Sequence, residues 1–245
     1  MLDFTDTPIE APIQNWDWAP IKEVPIIENN EPLVSLSYLP EKLIVSPQYF
    51  IQDLPGTYPE LYAREHVQEK LIEAARKLPY GYKFVVFDTW RSIPTQQALF
   101  DQMKLFVKRD HPTYSDEEIQ QAALRIVALP STDEKKPSPH NTGGSVDLSI
   151  IDEKGRLLDM GSPFDDISLH AKTTYYEVDD TSDKYEEARR NRRLLYHIMI
   201  QSGFTNYTEE WWHFDYGNQN WAKLSNQDHA LYGATKPVFP WVKAY

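Results

Sequence analysis

The chain has 245 residues, of which 41% are apolar and 25% charged, a composition typical of a globular protein with a substantial core. It contains no cysteine, which excludes a disulfide framework and leaves only nitrogen and oxygen ligands for any metal ion. The 37 acidic and 25 basic residues give a formal net charge of −12, which disfavours nucleic acid and anionic membranes as partners.

The N-terminal region lacks the basic and apolar pattern of a secretory signal. No stretch of the chain approaches 18 consecutive apolar residues. These features predict a soluble, cytoplasmic protein. Residues 1–32 are rich in proline and acidic residues and have no sustained period. We predict that they form an extended arm, anchored by Trp16 and Trp18, on a single domain of residues 33–245.

The first half of this domain predicts helices around one buried strand. Apolar spacing indicates a helix from about Tyr58 to Leu78, and the β-branched and aromatic run from Tyr82 to Trp90 predicts a buried strand. A second helix is expected from Pro94. A third follows Ser115, where Ser115 and Glu118 have the spacing of a capping box.

The second half predicts strands and one charged helix. After a loop at 130–144, residues Ser145–Ile151 alternate as a strand, and Arg156–Met160 is its expected hairpin partner. A charged helix is expected from about Ser182 to Ser202, and a last strand over Trp211–Tyr216. Helices followed by hairpin strands predict an α+β fold, a single domain with a small antiparallel sheet flanked by helices.

Two segments, about sixty residues apart, carry metal-ligand chemistry. His140 precedes Asp147 by seven residues, and the glycine pair 143–144 between them lets the backbone fold back so that both can reach one ion. His213 belongs to the second segment. Two imidazoles and a carboxylate suit a hydrolytic zinc ion, which has three protein ligands and an open fourth position. The pattern indicates a metal-dependent hydrolase.

Strand geometry orients two of these ligands. Because successive residues of a strand face opposite sides, Asp147 projects from the polar face of its strand while Val146 and Leu148 face the core. Glu210 lies three residues before His213 and must sit at the start of the strand or on a bulge. A carboxylate placed there, beside the metal and not bonded to it, fits a general base.

The pattern Ser-x-His-x-x-Gly-x-x-x-Asp, followed by Glu-x-Trp-His, resembles the zinc D-alanyl-D-alanine dipeptidases, which include the vancomycin-resistance dipeptidases. They belong to the superfamily of zinc D,D-carboxypeptidases and hedgehog-like domains, and the resemblance spans about residues 33–222. It implies one zinc ion per chain bound by His140, Asp147 and His213, with Glu210 as general base. It also implies a small D,D-dipeptide substrate and a place in peptidoglycan chemistry.

Three further matches extend the resemblance. The segment Asp88-Thr-Trp-Arg91 is similar to the family's segment with an active-site arginine, which implies that Arg91 stabilises the oxyanion. The segment before Asp165 resembles one whose carboxylate holds the substrate's amino group, and Ser138 matches a serine that contacts substrate. The family's Tyr-Arg-Pro is Trp-Arg-Ser here, and Tyr38 is a candidate for a substrate-contacting tyrosine.

Three functions fit these residues. The preferred one is a dipeptidase in which Asp165 neutralises the substrate's ammonium group. The second is a D,D-carboxypeptidase or endopeptidase acting on peptidoglycan stem peptides, which shares the metal core but lacks the anchoring carboxylate. The third is a non-catalytic binding module that keeps zinc. A structural site would need neither Glu210 nor Arg91, and their presence favours an enzyme.

Overall fold

A five-stranded sheet organises the computed structural model, which describes residues 4–12, 15–124, 127–178 and 181–238. The strands are β1 (Leu33–Ser35), β2 (Leu43–Val45), β3 (Tyr62–Arg64), β4 (Lys83–Asp88), β5 (Ser145–Ile151), β6 (Thr205–Asn206) and β7 (His213–Asp215). The order in the sheet is β2-β4-β5-β7-β6, and β1 pairs with β3 in a separate two-stranded ribbon. All pairs are antiparallel except β2 with β4, which is parallel.

Helices surround this sheet. They are α1 (Trp18–Lys22), α2 (Gln48–Ile51), α3 (Glu65–Ala75), α4 (Ile93–Asp110), α5 (Asp116–Leu124), α6 (Tyr175–Val178), α7 (Glu186–Gln201) and α8 (Gln219–Leu224). Short 3-10 helices occur at Phe4–Asp6, Pro139–Thr142, Leu169–Ala171 and Asp183–Tyr185. Within the described ranges, no helix combines the length and apolar character needed to cross a bilayer.

One face of the sheet forms the main core. Val146, Leu148 and Ile150 of β5 are fully buried in it, as their alternation predicts. They pack with apolar side chains of α3 and α7 in the same cluster: Val67, Leu71, Ala74, Ala75, Leu194, Leu195, Ile198 and Met199. The helices therefore cover one face, and the polar side chains of β4, β5 and β7 are left to the other.

The structure confirms most predicted elements and the α+β class. The buried strand, the helix at Pro94, the strand at 145–151 and the charged helix at 186–201 are all present. The capping box of α5 is formed, since the Glu118 carboxylate accepts from the Ser115 amide at 2.8 Å and the Ser115 hydroxyl accepts from the Glu118 amide at 3.3 Å. The last strand is shorter than predicted.

Two element predictions are wrong. The helix expected from Tyr58 begins only at Glu65, because residues 62–64 are extended and pair with β1. The expected hairpin strand Arg156–Met160 is not formed as a strand: beyond one bridge between Ile151 and Leu157, the Leu158 amide donates to the carbonyl oxygen of Ile150 at 2.9 Å, and the pairing stops there. The chain then turns away at Gly161, whose amide donates to the Asp159 carboxylate at 2.7 Å and whose φ is 77°. A tertiary pairing in the first case and a local turn in the second override the sequence pattern.

The N-terminal segment contacts the domain through aromatic rings. The Trp16 ring lies 4.6 Å from that of Tyr207 and the Trp18 ring 5.6 Å from it. Tyr207 in turn stands against His213, with ring centroids 5.6 Å apart. The division into an arm at 1–32 and a domain at 33–245 stays a prediction, and residues 1–3 and 239–245 lie outside the described part of the chain.

Candidate metal centre and active site

Strand register brings three polar residues into one row. Asp88 of β4 is paired with Asp147 of β5, and Asp147 is paired with His213 of β7. Directly paired residues project from the same face of a sheet, so the three side chains converge on the face opposite the main core. Ladder hydrogen bonds fix two of the predicted ligands.

His140 reaches the same point from a loop. It lies in the 3-10 helix Pro139–Thr142, just before β5, and is buried. Its Nε2 atom is 3.2 Å from Nδ1 of His213 and 3.4 Å from Oδ2 of Asp147. Nδ1 of His213 is 3.0 Å from Oδ1 of Asp147. One ligand atom from each residue therefore lies within 4.8 Å of the others.

The outer nitrogen of each imidazole is held by an acceptor. Nδ1 of His140 donates to the carbonyl oxygen of Thr89 at 2.7 Å and is 3.1 Å from Oδ2 of Asp88. Nε2 of His213 lies 3.2 Å from both oxygens of Asp215. Acceptors at the outer nitrogens fix the ring orientations and leave the inner nitrogens to face the shared centre, as in protein metal sites.

The centre is built for a positive charge. Oδ1 of Asp147 is buried, and although Nδ1 of His213 lies 3.0 Å away, no described residue makes a well-directed hydrogen bond to it. Burial acts to raise the pKa of Asp147, but His140 and His213 outweigh it and lower the pKa well below its usual range. Burial acts to lower the pKa of His213, but the charges of Asp215 and Asp147 outweigh it and raise that pKa. Crowded lone pairs of this kind fit a bound cation.

Asp215 is the support of His213 and is itself fully buried. It accepts hydrogen bonds from the Ser145 hydroxyl at 2.6 Å and from the side chains of Asn218 and Asn220 at 2.6 and 2.8 Å. Burial alone acts to raise the pKa of Asp215, but His213 and these donors lower it. The carboxylate is thus kept ionised as an acceptor for the imidazole.

Glu210 lies in the turn that leads into β7, where the sequence predicts it. One of its carboxylate oxygens is 3.8 Å from Nδ1 of His213, and its side chain is 30% exposed. Burial in the pocket raises the pKa of Glu210 to about 8; His213 opposes this rise and Asp147 adds to it. Its neighbour Glu209 points elsewhere and pairs with Lys172 at 3.3 Å.

Arg91 borders the three candidate ligands. Its Nη2 atom is 2.8 Å from the Asp88 carboxylate and 3.6 Å from that of Asp147, and its Nη1 donates to the Gln96 side chain at 2.9 Å. Burial acts to lower the pKa of Arg91, but Tyr49 and the surrounding carboxylates raise it, so the guanidinium stays charged. Asp88 therefore orients both Arg91 and His140.

Asp165, in the segment after β5, is linked to Arg91 through the Tyr49 hydroxyl. It adopts φ 61°, and its carboxylate accepts from the Tyr49 hydroxyl at 3.0 Å. Burial and the nearby charge of Asp147 raise the pKa of Asp165 to about 7, while Arg91 acts to lower it. The residue as a whole is exposed, and solvent limits this rise.

Tyr49 is the residue that the sequence does not reveal. Its hydroxyl accepts from Arg91 at 3.3 Å and donates to Asp165, and its ring lies 4.8 Å below the guanidinium. It is a single tyrosine on the short helix α2, without a motif. The candidate Tyr38 is instead 75% exposed and bonds to Glu60.

Ser138 directly precedes the 3-10 helix of His140. It is half-buried, and among the described residues its hydroxyl makes no capping bond to that helix. The hydroxyl is thus not used to cap this helix.

Asp215 is a second residue to which the sequence analysis gives no role. Its position two residues after His213 on a strand places both side chains on one face, and this spacing is the signal that could have revealed it.

Comparison with known proteins agrees with this geometry. The family model described as D-ala-D-ala dipeptidase, Peptidase_M15, matches residues 59–232. The chain belongs to this family. It is therefore a metallopeptidase, and it shares the fold class of the D-Ala-D-Ala dipeptidase family.

Curated relatives share the family name. A D-alanyl-D-alanine dipeptidase of Synechocystis is 32% identical over 228 residues, which cover 86% of this chain and 92% of that protein. The D-alanyl-D-alanine dipeptidase of Escherichia coli is 38% identical over 78 residues, or 32% of this chain and 37% of that protein. The dipeptidase family is thus matched both along most of the chain and in a shorter segment.

Solved structures show weaker likeness. A vancomycin-resistance D,D-pentapeptidase, a VanY mutant in complex with Zn(II), has a TM-score of 0.41 at 18% identity, over 71% of this chain and 84% of that one. VanYB in complex with D-alanine-D-alanine has a TM-score of 0.41 at 17% identity, over 72% of this chain and 88% of that one.

Proposed function

We propose that this protein is a zinc-dependent dipeptidase that hydrolyses D-alanyl-D-alanine to two molecules of D-alanine. The observation that carries the proposal is the convergence of His140, Asp147 and His213 on one buried point with Glu210 beside it. Family membership supports the same substrate class. The roles given below to single residues are part of the proposal.

His140, Asp147 and His213 would hold one zinc ion. The donor set, two imidazole nitrogens and one carboxylate, is the type found in catalytic zinc sites, and the bare Oδ1 of Asp147 fits a ligand position. When bound, zinc supplies Lewis-acid chemistry, since it lowers the pKa of water and polarises a carbonyl group. Asp88, Thr89 and Asp215 orient the two imidazoles.

Glu210 is the proposed general base. Its carboxylate takes a proton from the attacking water as the new carbon–oxygen bond forms, and returns it to the nitrogen as the carbon–nitrogen bond breaks. A raised pKa suits this double role, because the group must hold the proton between the two steps. The distance of 3.8 Å between its carboxylate and Nδ1 of His213 supports this role.

Arg91 is the proposed oxyanion stabiliser. The Asp88 carboxylate and the Tyr49 ring fix its guanidinium at the edge of the metal site. A fixed charge aimed at the developing oxyanion costs no reorganisation during the reaction. One such donor contributes about 3–4 kcal/mol to the lowering of the barrier.

Asp165 is the proposed anchor for the substrate's ammonium group, and Ser138 is a proposed contact near the first metal ligand. The Asp165 carboxylate is fixed by the Tyr49 hydroxyl, which also accepts from Arg91 beside the site. A blocked peptide has no charge to pair with this carboxylate, so its binding would leave the carboxylate unpaired. The anchor favours a dipeptidase over an enzyme for stem peptides.

The test compares free D-Ala-D-Ala with its N-acylated form in a metal-loaded enzyme and in one treated with chelator. We expect metal-dependent release of D-alanine from the free dipeptide only. Equal hydrolysis of both substrates would support a D,D-carboxypeptidase instead. No metal-dependent hydrolysis of either would support a binding module.

A further inference from the structure

A buried arginine outside the metal site contacts the loop that carries His140. Arg64, the last residue of β3, is 2% exposed. Its Nε atom donates to the carbonyl oxygen of Thr142 at 2.7 Å. Its backbone amide donates to the carbonyl oxygen of Gly143 at 3.0 Å. Both acceptors lie between His140 and the start of β5.

The other end of this guanidinium is held by the N-terminal segment. Glu28 accepts from both terminal nitrogens, at 3.0 and 2.9 Å, in a two-pronged ion pair. One of these nitrogens also donates to the carbonyl oxygen of Glu31 at 2.5 Å. The charge of Arg64 is therefore neutralised by a segment more than thirty residues earlier in the chain.

The C-terminal segment completes the support. Arg64 donates to the carbonyl oxygen of Gly233 at 3.1 Å, and the Gly233 amide donates to Glu28 at 2.6 Å. Further along, the amide of Thr235 donates to the carbonyl oxygen of Asn141 at 3.0 Å. Two distant segments thus meet at Arg64 and against the His140 loop.

His140 is the ligand that needs such support. Asp147 and His213 lie on paired strands, whereas His140 lies on one turn of 3-10 helix followed by Gly143 at φ 73°. A loop that is ordered before a ligand arrives loses less conformational entropy on binding. Bonds from Arg64 to two consecutive carbonyls fix this loop.

We propose that Arg64, neutralised by Glu28, is a positioning residue that orders the His140 loop and thereby sets the affinity of the metal site. The inference rests on the proposed zinc site. It assigns to the segments around Glu28 and Gly233 a part in metal retention, although neither touches a ligand side chain. Arg64 acts through Thr142 and Gly143 and not on the substrate.

The first test measures the zinc dissociation constant by competition with a chromophoric chelator. Arg64→Lys keeps the charge but cannot make the two-pronged pair or reach both sets of acceptors. We expect the zinc affinity of this variant to be about tenfold weaker than that of the wild type, which is the lower end of the loss seen when residues that support metal ligands are replaced. Circular dichroism confirms that each metal-free variant is folded at the temperature used.

The matched control is Arg192→Lys. Arg192 is also 2% exposed and also donates to backbone carbonyls, those of Met160 at 2.7 Å and Lys172 at 2.6 Å. It holds the segment around Asp165 and not the His140 loop. We expect its zinc affinity to match the wild type. Equal weakening in both variants, or in neither, overturns the positioning role.

A second measurement does not depend on Arg64→Lys folding. In the metal-free wild type, we expect the amides of Arg64 and Gly143 to exchange hydrogen slowly, and Glu28→Gln to accelerate both. Fast exchange of these amides in the wild type contradicts an ordered loop. Wild-type protein that binds no zinc would instead contradict the proposed function, so the two failures are distinguishable.

Discussion

At the scale of single residues, one pocket pushes the pKa values of two carboxyl groups in opposite directions. Asp147 faces two imidazoles, and its pKa is lowered, whereas Glu210 stands farther from them, and burial raises its pKa to about 8. Environments that separate two carboxyl pKa values in this way assign different tasks to them. Asp147 suits a ligand, and Glu210 suits a proton carrier.

Replacement of Glu210 by glutamine should abolish turnover without loss of metal. We expect kcat to fall by about 10²–10⁴-fold, since general base catalysis is lost while the three ligands remain. The measurements are D-alanine release and zinc content per chain. Glu209→Gln is the control, because Glu209 pairs with Lys172 outside the site and should keep its activity. A Glu210 variant with most of its activity would remove this residue from the mechanism.

Asp165→Asn should raise KM for the free dipeptide and change little the binding of the N-acylated one, measured by its inhibition of the reaction. The carboxyl must be ionised to pair with ammonium, and its pKa is raised toward about 7. Below that pH the group is neutral, so kcat/KM for the free dipeptide should increase as pH rises from about 5 toward 7. The asparagine variant should lose the part of this increase that comes from Asp165 and keep the part that comes from ionisation of Glu210. An equal loss of affinity for both peptides would contradict the ammonium anchor.

At the scale of elements, the turn between the 3-10 helix and β5 determines where His140 lies. Gly143 adopts φ 73°, and a Cβ atom there would meet Leu33 of β1. At the next residue, Gly144, a Cβ would lie 2.5 Å from the carbonyl oxygen of Tyr216. Close packing requires glycine at both positions, and at Gly143 the positive φ requires it as well.

Gly143→Ala should therefore lower the free energy of unfolding more than the same change at a glycine that has a positive φ but no close neighbour. Gly155 provides the control, since it has φ 76° and nothing within 4 Å of a Cβ. We expect Gly155→Ala to cost about 1–2 kcal/mol and Gly143→Ala about 1–3 kcal/mol more, as overpacking is added to strain. Urea unfolding of both metal-free variants measures this. Equal losses would show that the contact with Leu33 relaxes freely.

At the scale of the whole molecule, distant segments meet around the metal site. Residues 25–29 bond to residues 230–231, where the amide of Ile27 donates to the carbonyl oxygen of Ala230 at 2.9 Å. Trp16 and Trp18 pack on Tyr207 beside His213. The free energy of metal binding should therefore be linked to the folding of the whole chain.

Metal removal should lower the unfolding temperature of the whole chain, which should still unfold in one cooperative transition. Free zinc at about one hundred times its dissociation constant should raise the free energy of unfolding by about 2.7 kcal/mol over the chelated protein. Differential scanning calorimetry in chelator and in zinc measures the shift. His140→Ala should abolish it, because one ligand is missing. An equal shift in that variant would place the stabilising ion elsewhere.

Much of the site follows from local pattern. The alternation of Ser145–Ile151 places Asp147 opposite the core side chains, and the three-residue spacing places Glu210 before the strand that bears His213. Side-chain direction along a strand is set by backbone geometry alone. The convergence of the candidate ligands could therefore be predicted from the sequence, together with the α+β class, while their roles and that of Glu210 stay predictions.

Only the tertiary structure decided the remaining contacts. Four sets of contacts join residues that are far apart in sequence. They are the pairing of β3 with β1, the parallel pairing of β2 with β4, the hydrogen bond from Tyr49 to Asp165 and the hydrogen bonds of Arg64. Such contacts leave no periodic trace, because they depend on which surfaces pack together after the chain closes long loops. The sequence alone determined the chemistry of the centre, and long-range packing determined what orients it.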